Sequence, residues 1–214
     1  MIFRDRSDAG RRLAEACRDL ASTVSDPAQD LIVLGIPRGG VPVAAEVANA
    51  LGAPLDVIVV RKLGLPWNDE VAMGAIGEGT RILDERLIRA SGVSVRQLAA
   101  VEQRERRELA SRLERFRGDR APLEVAGRTT IVVDDGIATG ATIRAACVVV
   151  RARGARRVIA AVPVSPPDWH PTPGVDADEL ITLATPTHFF AIGQWYSDFT
   201  QTADDEVRAA LGAR

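Results

Sequence analysis

Two cysteines and two histidines in 214 residues leave little for a metal or redox framework. Cys17 and Cys147 lie in apolar or helical contexts without ligand-like spacing, so both read as small buried hydrophobes. Aromatic residues are scarce too, at five Phe, three Trp and one Tyr, so the core must be mainly aliphatic. No apolar run approaches the roughly 20 residues of a membrane-spanning helix. No apolar signal core follows Phe3-Arg4-Asp5-Arg6, and a cytoplasmic protein is the expectation. A net charge of −2 gives no electrostatic footprint for nucleic acid or for an acidic membrane surface.

What is present is concentrated. The run Ile131-Val132-Val133-Asp134-Asp135-Gly136-Ile137-Ala138-Thr139-Gly140-Ala141-Thr142 is a β-branched strand ending in two carboxylates, then a Gly- and Thr-rich turn, then a helix start. The turn and helix start offer N–H groups and hydroxyls to an anion such as phosphate. The carboxylates accept hydrogen bonds from sugar hydroxyls or seat hydrated Mg²⁺. A phosphate site beside a diol site fits a phosphorylated ribose. A lone Asp at a strand end more often just caps the next helix. Two acids, Gly-x-x-x-Gly and two Thr at this spacing go beyond that bland explanation. The aromatics are also clustered: Phe189, Phe190, Trp195, Tyr196 and Phe199 share one short stretch.

Along the chain, strands alternate with helices, which predicts an α/β domain with a central, mostly parallel sheet flanked by helices. Residues 7–21 have helical periodicity, 22–30 read as a polar loop, and 31–34 as a strand buried on both faces. A tight loop at 35–40 precedes a helix at 42–51. Residues 55–60 form a second buried strand running into Arg61-Lys62. The glycine-bearing segment 63–80 reads as a mobile loop with hairpin strands near 73–76 and 80–83. A short helix at 84–90 is followed by a long one opened by Ser94 and Gln97 as a capping box and running to about Arg117. Its pairs Glu102/Arg106 and Glu108/Arg112 have favourable i,i+4 spacing. The mixed signs of this helix suit a solvated face or a subunit contact. Then come the motif strand 129–134, a helix at 140–153, a strand at 156–164, a proline-rich loop at 166–174, a strand at 179–184 and a closing helix at 204–212. One domain over 1–214 is expected.

Ligands of open α/β sheets sit beyond the carboxyl ends of strands. Three such ends carry suggestive chemistry here. The first holds Pro37-Arg38-Gly39-Gly40, where the glycines allow close backbone approach to an anion and Arg38 adds a charged donor. The second holds Arg61 and Lys62, which must face solvent, a carboxylate or a ligand anion. The third is the acidic motif.

This constellation resembles the type I phosphoribosyltransferases, most specifically at 131–142, which is similar to their signature for phosphoribosyl pyrophosphate (PRPP). The resemblance implies their fold, with a flexible hairpin loop and a small C-terminal hood over about 165–202. It implies pyrophosphate binding by the loop at 35–40, including Arg38, Gly39 and Gly40, and by Arg61 and Lys62. It implies ribose binding by Asp134 and Asp135, with Mg²⁺ held there through water. The 5′-phosphate is assigned to Gly136, Ile137, Ala138, Thr139, Gly140, Ala141 and Thr142. Phe190, Trp195 and Tyr196 are the expected hood contacts to an acceptor, and the turn at 37–39 is expected to hold a non-proline cis peptide. A homodimer is also implied.

The implied activity is Mg-dependent transfer of ribose 5-phosphate from PRPP to a nitrogenous acceptor, releasing pyrophosphate. Two positions depart from the family. Gly136 replaces the usual branched apolar residue, which is expected to loosen the turn. Ala138 stands where members that use 6-oxopurines carry a proton-exchanging Asp. Some proteins of this fold sense PRPP or nucleotides without catalysis. The cations Arg38, Arg61 and Lys62 favour an enzyme, because a 5′-phosphate sensor needs no pyrophosphate site.

Overall fold

In the computed structural model, residues 2–24 and 26–212 are described. The chain opens with helix α1 (Arg6–Ser22), the short helix α2 (Pro27–Asp30), strand β1 (Leu31–Gly35), helix α3 (Gly40–Leu51) and strand β2 (Leu55–Val57). Strands β3 (Val60–Leu65), β4 (Asn68–Gly77) and β5 (Thr80–Leu83) follow, then helices α4 (Glu85–Ala90) and α5 (Val95–Arg117). Strand β6 (Thr129–Val133), helix α6 (Ala141–Ala152), strands β7 (Arg157–Val164) and β8 (Glu179–Ala184) and helix α7 (Asp204–Ala210) complete it. Part of the polar loop expected at 22–30 is thus helical: Asp26 caps α2 and Pro27 opens it.

The main sheet is five-stranded and wholly parallel, in the order β2-β1-β6-β7-β8. Its strands read as unbroken apolar runs because both faces are covered. Alternate side chains divide between two cores. Ile32, Leu34, Val132, Val158, Ala160 and Val162 face the layer that contains α6. Leu31, Val33, Ile131, Val133, Ile159 and Ala161 face α1 and α3. Full burial of each branched aliphatic side chain contributes about 1.5–3 kcal/mol. Cys17 and Cys147 belong to these two cores, and burial pushes the Cys17 thiol up to about 12. No described helix is long and apolar enough to cross a membrane.

The expected second strand is the main departure. The apolar run continues through Val57-Ile58-Val59-Val60, but only β2 stays in the parallel sheet. The chain then turns into β3, which joins β4 and β5 in a separate antiparallel sheet. Arg61 and Lys62 therefore lie inside a strand, not at the end of a parallel one, and the expected mobile loop is a tight hairpin at residues 66–67. Helix α5 starts with the predicted Ser94–Gln97 capping box and buries Val101, Leu109 and Phe116. Its last turn supplies a buried clamp. Arg117 is 4% exposed, lies 3.1 Å from Asp56 (2% exposed), donates to the Val57 carbonyl at 2.9 Å and also reaches Glu78. One guanidinium thus ties α5 to both sheets.

Candidate active site

The main sheet reverses its winding between β1 and β6, which are hydrogen-bonded neighbours although the chain visits β2 to β5 between them. A crevice opens at such a switch point beyond the carboxyl ends of the strands. The two loops that flank it are 36–40 and 134–140, which hold the Arg38-Gly39-Gly40 turn and the acidic motif. Ile36 N–H donates to the Val133 carbonyl at 2.9 Å and carries the pairing of β1 and β6 into the loops.

Glycine is required where these loops touch. A Cβ on Gly39 would lie 2.0 Å from Asp135 Oδ2, and one on Gly40 would lie 2.6 Å from the Val133 carbonyl oxygen. The peptide bond between Pro37 and Arg38 is cis. Asp135 is 9% exposed and accepts from Arg6 Nε at 2.8 Å. Its backbone N–H donates to Asp134 Oδ1 at 2.9 Å, and its carbonyl accepts from the Tyr196 hydroxyl at 2.6 Å. Burial pushes the Asp134 carboxyl well above the usual carboxylate range, and the adjacent Asp135 adds to this. Burial raises Asp135 as well, against the opposing charge of Arg6. The pair is thus costly to ionise until donors or a cation arrive.

Beyond the pair, residues 136–143 with Asp134 and Ile192 line a cavity of about 120 Å³. Gly140 caps α6 in the left-handed conformation (φ 80°) and has no side chain to bond the helix start; Ala141 N–H donates to Thr139 Oγ1 at 3.4 Å, and this start borders the cavity. Trp169 packs against Gly140 from behind: a Cβ there would meet its Nε1 at 1.8 Å. Gly136 does not loosen the turn. A Cβ on it would come within 2.7 Å of Ile192, so the missing side chain makes room for a hood residue.

The basic residues separate. Arg61 and Lys62 are neighbours on β3 and project to opposite faces. Lys62 joins Thr139, Ala141 and Arg144 around a cavity of about 840 Å³ beside the phosphate turn. Arg61 turns the other way and pairs with Glu105 of α5 at 2.7 Å. Arg38 leaves its turn to meet Asp204 of α7 at 3.3 Å.

The hood departs further from expectation. Part of the span 165–202 is β8, an integral strand of the main sheet. Tyr196 is 6% exposed and packs on Phe3 and Phe199, with its hydroxyl spent on Asp135, so it is a core and positioning residue rather than an acceptor contact. Trp195 is half-buried, and Phe190 is 82% exposed. Arg6 and Ile192 escaped the sequence reading: neither belongs to a local motif, and Arg6 lies 129 positions from the acid it pairs with.

Among the described residues, no group of three or more His, Cys, Asp or Glu could hold a metal alone. Two carboxylates fit a Mg²⁺ ion that is held chiefly by substrate oxygens and water.

Comparison with known proteins agrees with this geometry. The family profile described as "Phosphoribosyl transferase domain" matches residues 5–179. A curated Mycobacterium tuberculosis protein, provisionally named a phosphoribosyl transferase, is 51% identical over 211 residues, which is 98% of this chain and 46% of its own. The chain thus spans about half the length of the curated relatives it matches. The crystal structure of TT1426 from Thermus thermophilus superposes with a TM-score of 0.86 at 43% identity, over 99% of this chain and 98% of that one. A Neisseria gonorrhoeae protein solved with bound ppGpp, at 12% identity and TM-score 0.51 over 99% of this chain and 95% of its own, shares the fold alone. With its switch-point loops, acidic pair and profile match, the chain belongs to the phosphoribosyltransferase family.

Proposed function

We propose that the protein transfers ribose 5-phosphate from PRPP to a small nitrogenous acceptor and releases pyrophosphate. The observation that carries this reading is the contact of the 37–40 turn with Asp134 and Asp135 at the switch point. It sets three subsites side by side. The α6 start and residues 136–142 receive the 5′-phosphate. Asp134 and Asp135 accept from the ribose hydroxyls, which favours their ionised form and stabilises positive charge developing on the ring. The backbone of the 37–40 turn and Lys62 face the departing pyrophosphate, and Arg38 reaches it by exchanging Asp204 for it. Bound Mg²⁺ would supply charge neutralisation for that leaving group, with Asp134 and Asp135 as its water-mediated protein partners. Arg61 reaches the leaving group only by exchanging Glu105 for it. From the hood, Ile192 borders the phosphate turn, and Phe190 and Trp195 are the rings free to contact an acceptor.

The test is pyrophosphate release from Mg-PRPP, screened over a panel of bases and amines. Turnover with at least one acceptor is expected. Tight PRPP binding without release across the panel is the result expected of a non-catalytic sensor. Within the panel, hypoxanthine and guanine should be poor acceptors, because Ala138 offers no carboxylate to manage the proton of the base. Efficient turnover of either one overturns that assignment. A second measurement separates the subsites. Lys62→Ala should weaken pyrophosphate and PRPP by about tenfold and ribose 5-phosphate much less, given one charge-assisted hydrogen bond. Equal losses for all three ligands would remove Lys62 from the leaving-group site.

A further inference from the structure

One face of α5 carries Glu105, Glu108, Arg112 and Arg115 at three- and four-residue spacing, so these side chains form consecutive rungs. At one outer rung Glu105 holds Arg61, and at the other Arg115 shares the carboxylate of Asp204 with Arg38, the two arginines expected at the leaving group. Glu105, 5% exposed, binds Arg61 at 2.7 Å and Arg104 at 2.9 Å. Arg115 lies 3.6 Å from Asp204, whose other carboxylate oxygen is 3.3 Å from Arg38. Each carboxylate is therefore shared by two arginines. If Arg61 turns to a ligand, Glu105 keeps Arg104, and if Arg38 turns, Asp204 keeps Arg115. Neither movement leaves its carboxylate without a cation, which for the buried Glu105 would be strongly unfavourable.

Arg112 lies between these two rungs. The i,i+4 pair that the sequence predicts with Glu108 does not form, and among the described residues no carboxylate lies within ion-pair distance of Arg112. Its side chain is half-buried. Burial, followed by the charges of Arg61, Arg115 and Arg38, holds its guanidinium below the usual arginine range despite the opposing pull of Glu108. A partly desolvated cation crowded by cations is unfavourable unless an anion completes the cluster.

We infer that this face of α5 is a second wall of the leaving-group site, with Arg112 as a direct ligand of pyrophosphate and Arg38 and Arg61 swinging onto the same anion from their shared carboxylates. The inference rests on the phosphoribosyltransferase reading and adds a residue from outside its three sequence motifs.

Calorimetry with pyrophosphate, PRPP and ribose 5-phosphate on the wild type, Arg112→Gln and Arg112→Lys tests it. Arg112→Gln should lose about tenfold or more in pyrophosphate affinity, as expected for one charge-assisted contact, and keep ribose 5-phosphate affinity within about twofold. Its melting temperature should stay level or rise, because a crowded charge is gone, whereas a merely structural arginine would lower it. Arg112→Lys should recover part of the pyrophosphate affinity. Unchanged pyrophosphate binding by Arg112→Gln overturns the inference. If the wild type fails to bind ribose 5-phosphate and PRPP, the phosphoribosyltransferase reading fails instead, and pyrophosphate binding that still depends on Arg112 would support the anion site by itself.

Discussion

Asp134→Asn should yield a protein that melts a few degrees higher at neutral pH and has lost about 100-fold or more in affinity for Mg-PRPP. Both effects have one origin. Asp134 is held against the switch point with Asp135 beside it, and its raised carboxyl reports the cost of ionising there. The linkage has a definite sign. A carboxyl raised by folding holds a proton that the unfolded chain has already released, so stability falls as pH climbs through the window above the ordinary carboxylate range. The Asn variant lacks this fall, so its advantage should be greatest above that window and vanish in acid. The affinity loss follows from removing a charged acceptor for the ribose hydroxyls, at about 1.5–3 kcal/mol per hydrogen bond, together with a charge that water-bound Mg²⁺ requires. Thermal melts at several pH values and calorimetry with Mg-PRPP check both halves. A variant that binds like the wild type would remove the acidic pair from the ribose site.

Arg117→Met should cost about 3–5 kcal/mol of folding stability, because it leaves Asp56 buried without its cation. Asp56 also accepts from the Val57 and Leu123 N–H groups, at 2.8 Å and 3.1 Å. Adding Asp56→Asn keeps an acceptor for one of those two donors and removes the orphaned charge, so the double variant should regain part of the loss. Denaturant unfolding measures each step. A loss under about 1 kcal/mol for Arg117→Met would show that the apolar contacts of α5, and not the clamp, hold the two sheets together.

The parallel sheet was legible from sequence because strands covered on both faces are written as unbroken aliphatic runs, as at 31–34 and 129–133. Helix α5 was legible from its cap. The same signal misled at 57–60, where apolar residues continue while the backbone leaves one sheet for another: burial is continuous there, but hydrogen-bond partners are not. At the site, the turn, the acidic pair and the glycine-led start of α6 were visible because each is local. The side-chain directions of Arg61 and Lys62 followed from strand alternation only once β3 was known to be a strand. The aromatic cluster stood out in the sequence, but which of its rings face outward did not. Tyr196 and Phe190 look alike in composition, yet one closes a core over Phe3 and the other stands in solvent. Arg112 looks from sequence like half of a helix-surface pair, since the cations at its two flanks, Arg61 and Arg38, come from other elements.

The residues just inside the chain's two ends are built into the rim of the site. Phe3 N–H donates to the Trp195 carbonyl at 2.7 Å and the Ser197 N–H donates to the Phe3 carbonyl at 2.7 Å, three residues before Arg6 reaches Asp135. Asp204, in the last helix, holds Arg38. Any polypeptide joined ahead of Phe3 would begin within a few residues of Arg6, the partner of Asp135, and any joined after α7 would start one short helix away from Asp204, the partner of Arg38. A purification tag joined ahead of Phe3 would therefore sit beside this rim, and a fluorophore attached there would lie near the acidic pair. A further domain at either end would have its tether moored beside the acidic pair or beside the Arg38–Asp204 contact.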